Sequence, residues 1–250
     1  MQTLGIDLAS RARNTAACVV EWRQGTARVA DLRAGLSNDE LLPLMHSAAV
    51  VGLDAPFGWP DAFADAVRHW GGSGRWPLAW DEKAGSEALR LRATDQWVWK
   101  TIGKQPLSVS SDRIGITAWR AAALLTAFGG TAVDRVHGRV REVYPGAALI
   151  AWDLLGPRPP SSYKRDPAVR ESMLDKMAAK GGWLDLDRHR DQMVTSDHAF
   201  DALISALVAR AADGTLAWAP PDDIPRERLQ REGWIWLPRP DSWPRLAQES

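Results

Sequence analysis

Five acidic residues stand where apolar runs end or a helix begins. They are Asp7 in Gly5-Ile6-Asp7-Leu8-Ala9, Asp54 in Leu53-Asp54-Ala55-Pro56-Phe57-Gly58, Glu142 in Glu142-Val143-Tyr144-Pro145, and Asp197 and Asp201 in Asp197-His198-Ala199-Phe200-Asp201-Ala202-Leu203. A carboxylate isolated in such apolar surroundings is costly, so these positions make sense if the fold gathers them around a shared cation. Hard oxygen donors suit Mg²⁺ or Mn²⁺, which keep several waters and bridge one or two carboxylates to a substrate phosphate. Three or four carboxylates can hold two such ions roughly 4 Å apart, one activating water and the other stabilising a leaving oxygen. The task these positions suit is therefore hydrolysis of a phosphodiester, with Asp7, Asp54, Glu142, Asp197 and Asp201 as the candidate metal ligands and catalytic groups. No phosphate-binding P-loop, Cys/His ligand spacing or Gly-x-Ser-x-Gly occurs in the chain, and no Ser or Cys of these motifs sits beside a base as covalent catalysis requires.

Each position also has a plainer reading. Asp7 can end a strand as a turn residue, and Asp54 with Pro56 and Gly58 reads equally as turn chemistry. Glu142 can alternate outward between Arg141 and Val143. Asp197 can serve as an N-cap or first-turn residue favoured by the helix dipole. Asp197 and Asp201 stand at i and i+4, hence on one helix face, where their like charges call for a cation. His198 is read as a helix-terminal residue rather than a proton carrier.

Residues 3–8, 15–22 and 26–33 alternate or run apolar between turn signals, which predicts a three-stranded antiparallel meander. The spacing of Leu41, Leu44 and Met45 predicts a helix over 40–48 with Pro43 in its first turn. The nearly all-apolar run Ala49 to Asp54 reads as a strand buried on both faces, hence parallel to its neighbours. From 59 to 138 the pattern is helical and interrupted, with helices near 60–70, 86–102 and 115–129. A fifth strand is expected over 140–144, helices over 147–155, 167–180 and 199–212, and a short hairpin or strand pair from 215–219 and 233–237. With right-handed parallel crossovers this order predicts one α/β domain over 1–250: a mixed five-stranded sheet, order 3-2-1-4-5, flanked by helices. The helical insertion 59–138 is placed at the carboxylate end and a short β extension at the C-terminus.

Composition narrows the partners. The 250 residues are 45% apolar, ample for one large core, and Lys plus Arg equals Asp plus Glu at 31 each, so no overall basic field announces nucleic acid. Any such contact must use a local patch, and Arg pairs such as Arg11/Arg13, Arg90/Arg92 and Arg188/Arg190 suit phosphate. The single Cys18 lies in an apolar run and reads as a buried thiol, as in a reducing cytoplasm. No membrane-length apolar run or signal-peptide pattern opens the chain. Of the 14 Trp, those at 97, 99, 119, 152, 183, 218, 234 and 236 sit beside aliphatic residues and read as packing, whereas Trp59, Trp70, Trp76 and Trp80 flank a Gly/Pro-rich stretch from which an indole could stack on a base.

The segments quoted above, together with Arg92-Ala93-Thr94-Asp95 and Ser162-Tyr163-Lys164, resemble in order and over nearly the whole chain a domain-of-unknown-function family described as predicted nucleases of RNase H-like fold. The Gly-Ile-Asp strand and the paired-Asp helix also look like the Holliday-junction resolvase branch of that fold. The resemblance implies an RNase H-like fold and a nucleic acid or nucleotide substrate. It makes Asp7 and Asp201 central metal ligands, Asp54 or Glu142 the ligand from a neighbouring strand, and Asp197 auxiliary. Arg92, Thr94, Asp95 and Lys164 match the family's motifs and are taken as substrate-binding, with Lys164 facing phosphate. Two other readings compete: a phosphotransferase of the actin and sugar-kinase superfamily, whose first strand also reads Gly-Ile-Asp but which needs a second domain, and a non-catalytic nucleic-acid- or nucleotide-binding protein.

Overall fold

A computed structural model of the chain describes residues 1–77, 84–130, 133–155 and 162–248. Trp80 and most of the Pro-rich stretch 156–162 lie outside them. The opening runs form β1 (Gln2–Asp7), β2 (Ala16–Arg23) and β3 (Thr26–Ala34), an antiparallel meander in which Gly25, at φ 77°, makes the tight turn from β2 to β3. Helix α1 (Asn38–Ser47) follows and starts earlier than its periodicity predicts. Ser37 accepts from the Glu40 amide while Glu40 accepts from the Ser37 amide, a capping box that moves the start forward and leaves Pro43 inside the helix. β4 (Val50–Asp54) then runs parallel to β1.

The helical stretch contains α2 (Asp61–Ser73), α3 (Ala84–Arg90), α4 (Ala93–Ile102) and α5 (Gly115–Gly129). The expected helix over 86–102 is thus two, separated at Leu91-Arg92. Beyond it come β5 (Val140–Glu142), α6 (Pro145–Ala151), α7 (Pro167–Gly181), β6 (Leu184–Asp185), α8 (Arg190–Thr195), α9 (Asp197–Asp213) and α10 (Arg226–Glu232). The sheet has six strands in the order β5-β4-β1-β2-β3-β6, not five. The extra strand, β6, pairs parallel to β3 for only two residues, too short a run to stand out in the sequence. The segments near 217 and 235 make isolated bridges, Ala217 to Pro238 and Glu142 to Ile235, rather than a hairpin. Pro220, Pro221, Pro238 and Pro240 leave that region few amides for a ladder.

Alternation in β1 and β4 decides what covers each face. Leu4 and Ile6 of β1 and Val51 and Leu53 of β4 join Leu41 and Met45 of α1 and Ala121, Leu124 and Leu125 of α5 in one core. Within the stretch read as an insertion, α5 is therefore a covering layer of the sheet. The opposite face carries Gly5 and Gly52, which are register partners. A Cβ on Gly5 would lie 2.0 Å from the Ala202 carbonyl oxygen, and one on Gly52 would lie 2.2 Å from that of Ser205. With no side chain at either place, α9 rests directly on the sheet. This second core holds most of α9 with Trp22, Trp152, Trp183, Trp234, Trp236 and Trp243. Trp99 and Trp119, read above as packing residues, are exposed instead, because α4 and α5 turn them away from their buried stripes, and Trp218, in the segment after α9, is exposed at one edge while packing against Trp97 and Arg239. None of the described helices is long and apolar enough to cross a membrane.

Candidate metal centre

The close approach of α9 places one acidic site. Asp7 and Asp54 end β1 and β4 as register partners, two residues beyond Gly5 and Gly52 and so on the same face. On α9, His198, Asp201, Ala202, Ser205, Ala206 and Ala209 recur at helical spacing. Ala202, Ser205, Ala206 and Ala209 meet Gly5 or Gly52. The first turn of that face projects past the strand ends, over the two strand carboxylates. One oxygen each of Asp7, Asp54 and Asp201 lies within 4.8 Å of the other two.

Lys164 and His198 flank this triad. Lys164, on a short 3₁₀ turn at Ser162–Lys164, forms an ion pair with Asp201 Oδ2. His198 Nδ1 is 2.5 Å from Asp7 Oδ2. Asp201 Oδ1 is buried and makes no hydrogen bond to the described residues, although the nearby Tyr163 phenol favours the charged carboxylate. Burial raises the Asp201 pKa to about 6; Lys164 opposes the shift and Asp7 adds to it. Burial, then the charges of Asp7 and Asp201, lifts Asp54 well above the usual carboxylate range. The hydrogen bond that His198 donates to Asp7 leads the causes that raise its pKa, against its partial burial. For Lys164, burial alone would lower the pKa, but Asp201, Asp7 and Asp54 together raise it. The site is thus a concentration of negative charge with too little compensation, which is the condition a divalent cation relieves.

The donor set fits a hard cation. All three ligands are carboxylates, no Cys belongs to the group, and the buried Asp201 Oδ1 is an acceptor awaiting a partner. Mg²⁺ or Mn²⁺ would be held by Asp7, Asp54 and Asp201.

The remaining expected site residues are outside the triad, although Glu142 and Arg92 line the same cavity as Asp7 and Asp54. Glu142 sits in a buried network, where its Oε1 accepts from Arg92 Nη2 at 2.7 Å and its Oε2 from Arg92 Nη1 at 2.9 Å and the Phe57 amide at 3.0 Å. Both its oxygens are engaged, and it is not in the triad. Arg92 also binds Asp95 through Nε and Nη2, at 3.0 and 2.9 Å. Thr94 is fully buried and its Oγ1 accepts from the Ile235 amide at 2.8 Å. Asp95 and Thr94 are thus committed to internal partners. Asp197 is in the first turn of α9, outside the triad, and Ser196 rather than Asp197 caps the helix. The residue beside Asp7 is His198, which the sequence reading set aside; its spacing of three from Asp201 was the signal for it.

Asp7 and Asp54 of the triad face a cavity of about 530 Å³. Asp7, Asp54, Tyr144, Tyr163 and Lys164 line one part, and the segment after α4, Lys104 to Leu107, with Ile114 and Thr117, lines another.

Fold and site together define a mixed α/β protein with a three-carboxylate centre at the ends of two parallel strands. The chain belongs to the family described as "Protein of unknown function (DUF429)", whose model matches residues 5–224 and so spans all three carboxylates. No curated protein and no solved structure matches it.

Proposed function

We propose that this protein is an RNase H-like hydrolase that cleaves a phosphodiester bond with the aid of Mg²⁺ or Mn²⁺. The convergence of Asp7, Asp54 and Asp201 with one carboxylate oxygen buried and unpartnered carries the reading. The run β5-β4-β1-β2-β3, with carboxylates on β1, on its parallel neighbour and on the helix across them, supports the fold assignment.

A bound divalent cation would supply Lewis-acid activation of water and charge neutralisation at the phosphate. The chain's own residues do the rest. Asp7, Asp54 and Asp201 would hold the ion, and the α9–sheet contact fixes their separation. His198 is oriented by Asp7 through Nδ1, which leaves Nε2 to take a proton from the attacking water as its oxygen bonds to phosphorus. The Lys164 ammonium, partly exposed beside Asp201, faces the charge that develops on the leaving oxygen as the ester P–O bond breaks, and that oxygen takes its proton from solvent while His198 later returns its own to solvent.

The test compares wild type with Asp7→Asn on single-stranded, duplex, hybrid and branched nucleic acids with Mn²⁺ and with EDTA. Cleavage in Mn²⁺ that collapses in EDTA and in Asp7→Asn is expected. Cleavage that survives both refutes the assignment, and a purified wild type inert on every substrate moves the reading to a binding protein.

A further inference from the structure

We propose that the cavity beside the carboxylates binds a single nucleotide unit, with Lys104 taking its phosphate and the apolar wall receiving its nucleoside. The unit is a free nucleoside monophosphate or the terminal residue of a strand. This rests on the phosphodiester reading of the acidic site and names what that site accommodates.

Lys104 follows the α4 C-cap Gly103 and is half-buried. Among the described residues its ammonium has no hydrogen bond and no ion pair; its one close companion is the Tyr144 ring, 5.8 Å away. The position is snug: a Cβ on Gly146 would come within 3.4 Å of Lys104 Cε and 3.6 Å of Nζ. A half-buried ammonium that pairs directly with no carboxylate is unfavourable unless something anionic completes it. Its pKa is lowered, first by burial and then by Lys164, with only the more distant charge of Asp201 opposing, so the two ammonium groups feel one another across the same cavity. An anion between them meets two cations, and its far side reaches the carboxylate triad only with a divalent ion between.

Size and wall chemistry select the rest of the ligand. The volume of about 530 Å³ lies in the range of small-molecule sites, roughly 300–1,000 Å³. Leu107, Ile114, Val143, Tyr144 and Ile235 supply an apolar wall suited to a base and sugar. A duplex would instead need an extended basic surface along its phosphates, and the chain has no net charge to provide a general one.

The experiment is calorimetric titration of the full chain with Mn²⁺ alone, and, in Ca²⁺ and in EDTA, with a nucleoside 5′-monophosphate, inorganic phosphate, a short single strand and a duplex of the same sequence. Wild type should bind the monophosphate more tightly than inorganic phosphate and more tightly than the duplex. Lys104→Met should weaken the monophosphate at least tenfold and Lys104→Arg much less, with Mn²⁺ affinity within twofold of wild type and an unchanged unfolding temperature. Binding of the single strand as well supports capture of a strand end, and its failure supports a free nucleotide. Equal monophosphate affinity in Lys104→Met, or preference for phosphate or duplex, overturns the proposal. Mn²⁺ binding without monophosphate binding refutes this site and spares the hydrolase reading. Monophosphate binding through Lys104 without Mn²⁺ binding does the reverse.

Discussion

Stripped of metal, this protein should become more stable as the pH falls from 7.5 to about 5. The Asp201 carboxyl sits at about 6 in the fold against 3.8 when unperturbed, with burial as the leading cause. The folded state therefore binds this proton more tightly than the unfolded chain. Above pH 6 the fold must hold Asp201 ionised, at a cost of about 3 kcal/mol, and that cost disappears as the pH drops from 6 toward 3.8. Asp54, also raised by burial and its neighbours, acts in the same direction. So does His198: its contribution is complete below its ordinary value of 6.5 and is lost as the pH rises through its raised folded value. Lys164 stays charged throughout this window and the Tyr144 and Tyr163 phenols stay neutral, since all three are shifted upward. Down to pH 5, one unit below the folded value, about 1.4 kcal/mol of this returns, which for a chain of this length corresponds to roughly 3–6 °C in unfolding temperature.

Below pH 4 the trend should reverse, because Glu21, Glu40 and Asp134, held below the usual carboxylate range by hydrogen bonds, take up protons. Mn²⁺ selects the ionised carboxylates, so at 100 times its dissociation constant it should add about 2.7 kcal/mol at pH 7.5 and flatten the acid gain. Thermal unfolding followed by Trp fluorescence from pH 4 to 8, in EDTA and in Mn²⁺, reads both effects. Asp201→Asn should lose most of each. A metal-free wild type whose unfolding temperature is flat or falls between pH 7.5 and 5.5 would refute the gathering of Asp7, Asp54 and Asp201 around one point.

Three further substitutions separate packing from chemistry. Gly5→Ala drives a methyl to 2.0 Å from the Ala202 carbonyl oxygen and 2.2 Å from the Ala206 nitrogen, so α9 must lift; urea unfolding should show a loss of about 3 kcal/mol or more, and wild-type stability would contradict the direct helix–sheet contact. Arg92→Met strands Glu142 and Asp95 in the interior and should cost about 3–5 kcal/mol in the same assay; a loss under about 1 kcal/mol would mean that the network is not closed. Trp119→Ser, at a residue 65% exposed, should change stability by no more than about 0.5 kcal/mol, and a larger loss would place its indole in a packed interface.

The strands and long helices were legible because their periodicity is imposed by two-sided burial. Leu4 and Ile6 must face α1 and α5 while Gly5 and Asp7 face α9, so the local pattern already contains the layer arrangement. Asp7, Asp54 and Asp201 could be picked out for the same reason: each interrupts an apolar run at its end. Glu142 interrupts one equally well, yet its partner is Arg92, 50 residues away in sequence, and nothing local announces that pairing. Asp197 was favoured over its neighbour by the i, i+4 rule, but the face of α9 is set by what fits against two glycines. That places His198 beside Asp7.

Lys104 was invisible for a related reason. A lysine after a helix-ending glycine is ordinary surface chemistry in sequence, and only the fold sets it over Tyr144, against the bare Cα of Gly146, without a carboxylate of its own. Charges whose partners are far away in sequence follow opposite courses here. Arg92 finds two carboxylates and becomes structural, while Lys104 pairs directly with none among the described residues and is left for an anion from outside. A buried or half-buried charge must be completed by something, and whether the chain itself supplies it divides scaffold from site. On that criterion the unpaired Asp201 oxygen calls for a cation and Lys104 for an anion, and a metal-bridged phosphate is the single ligand that answers both.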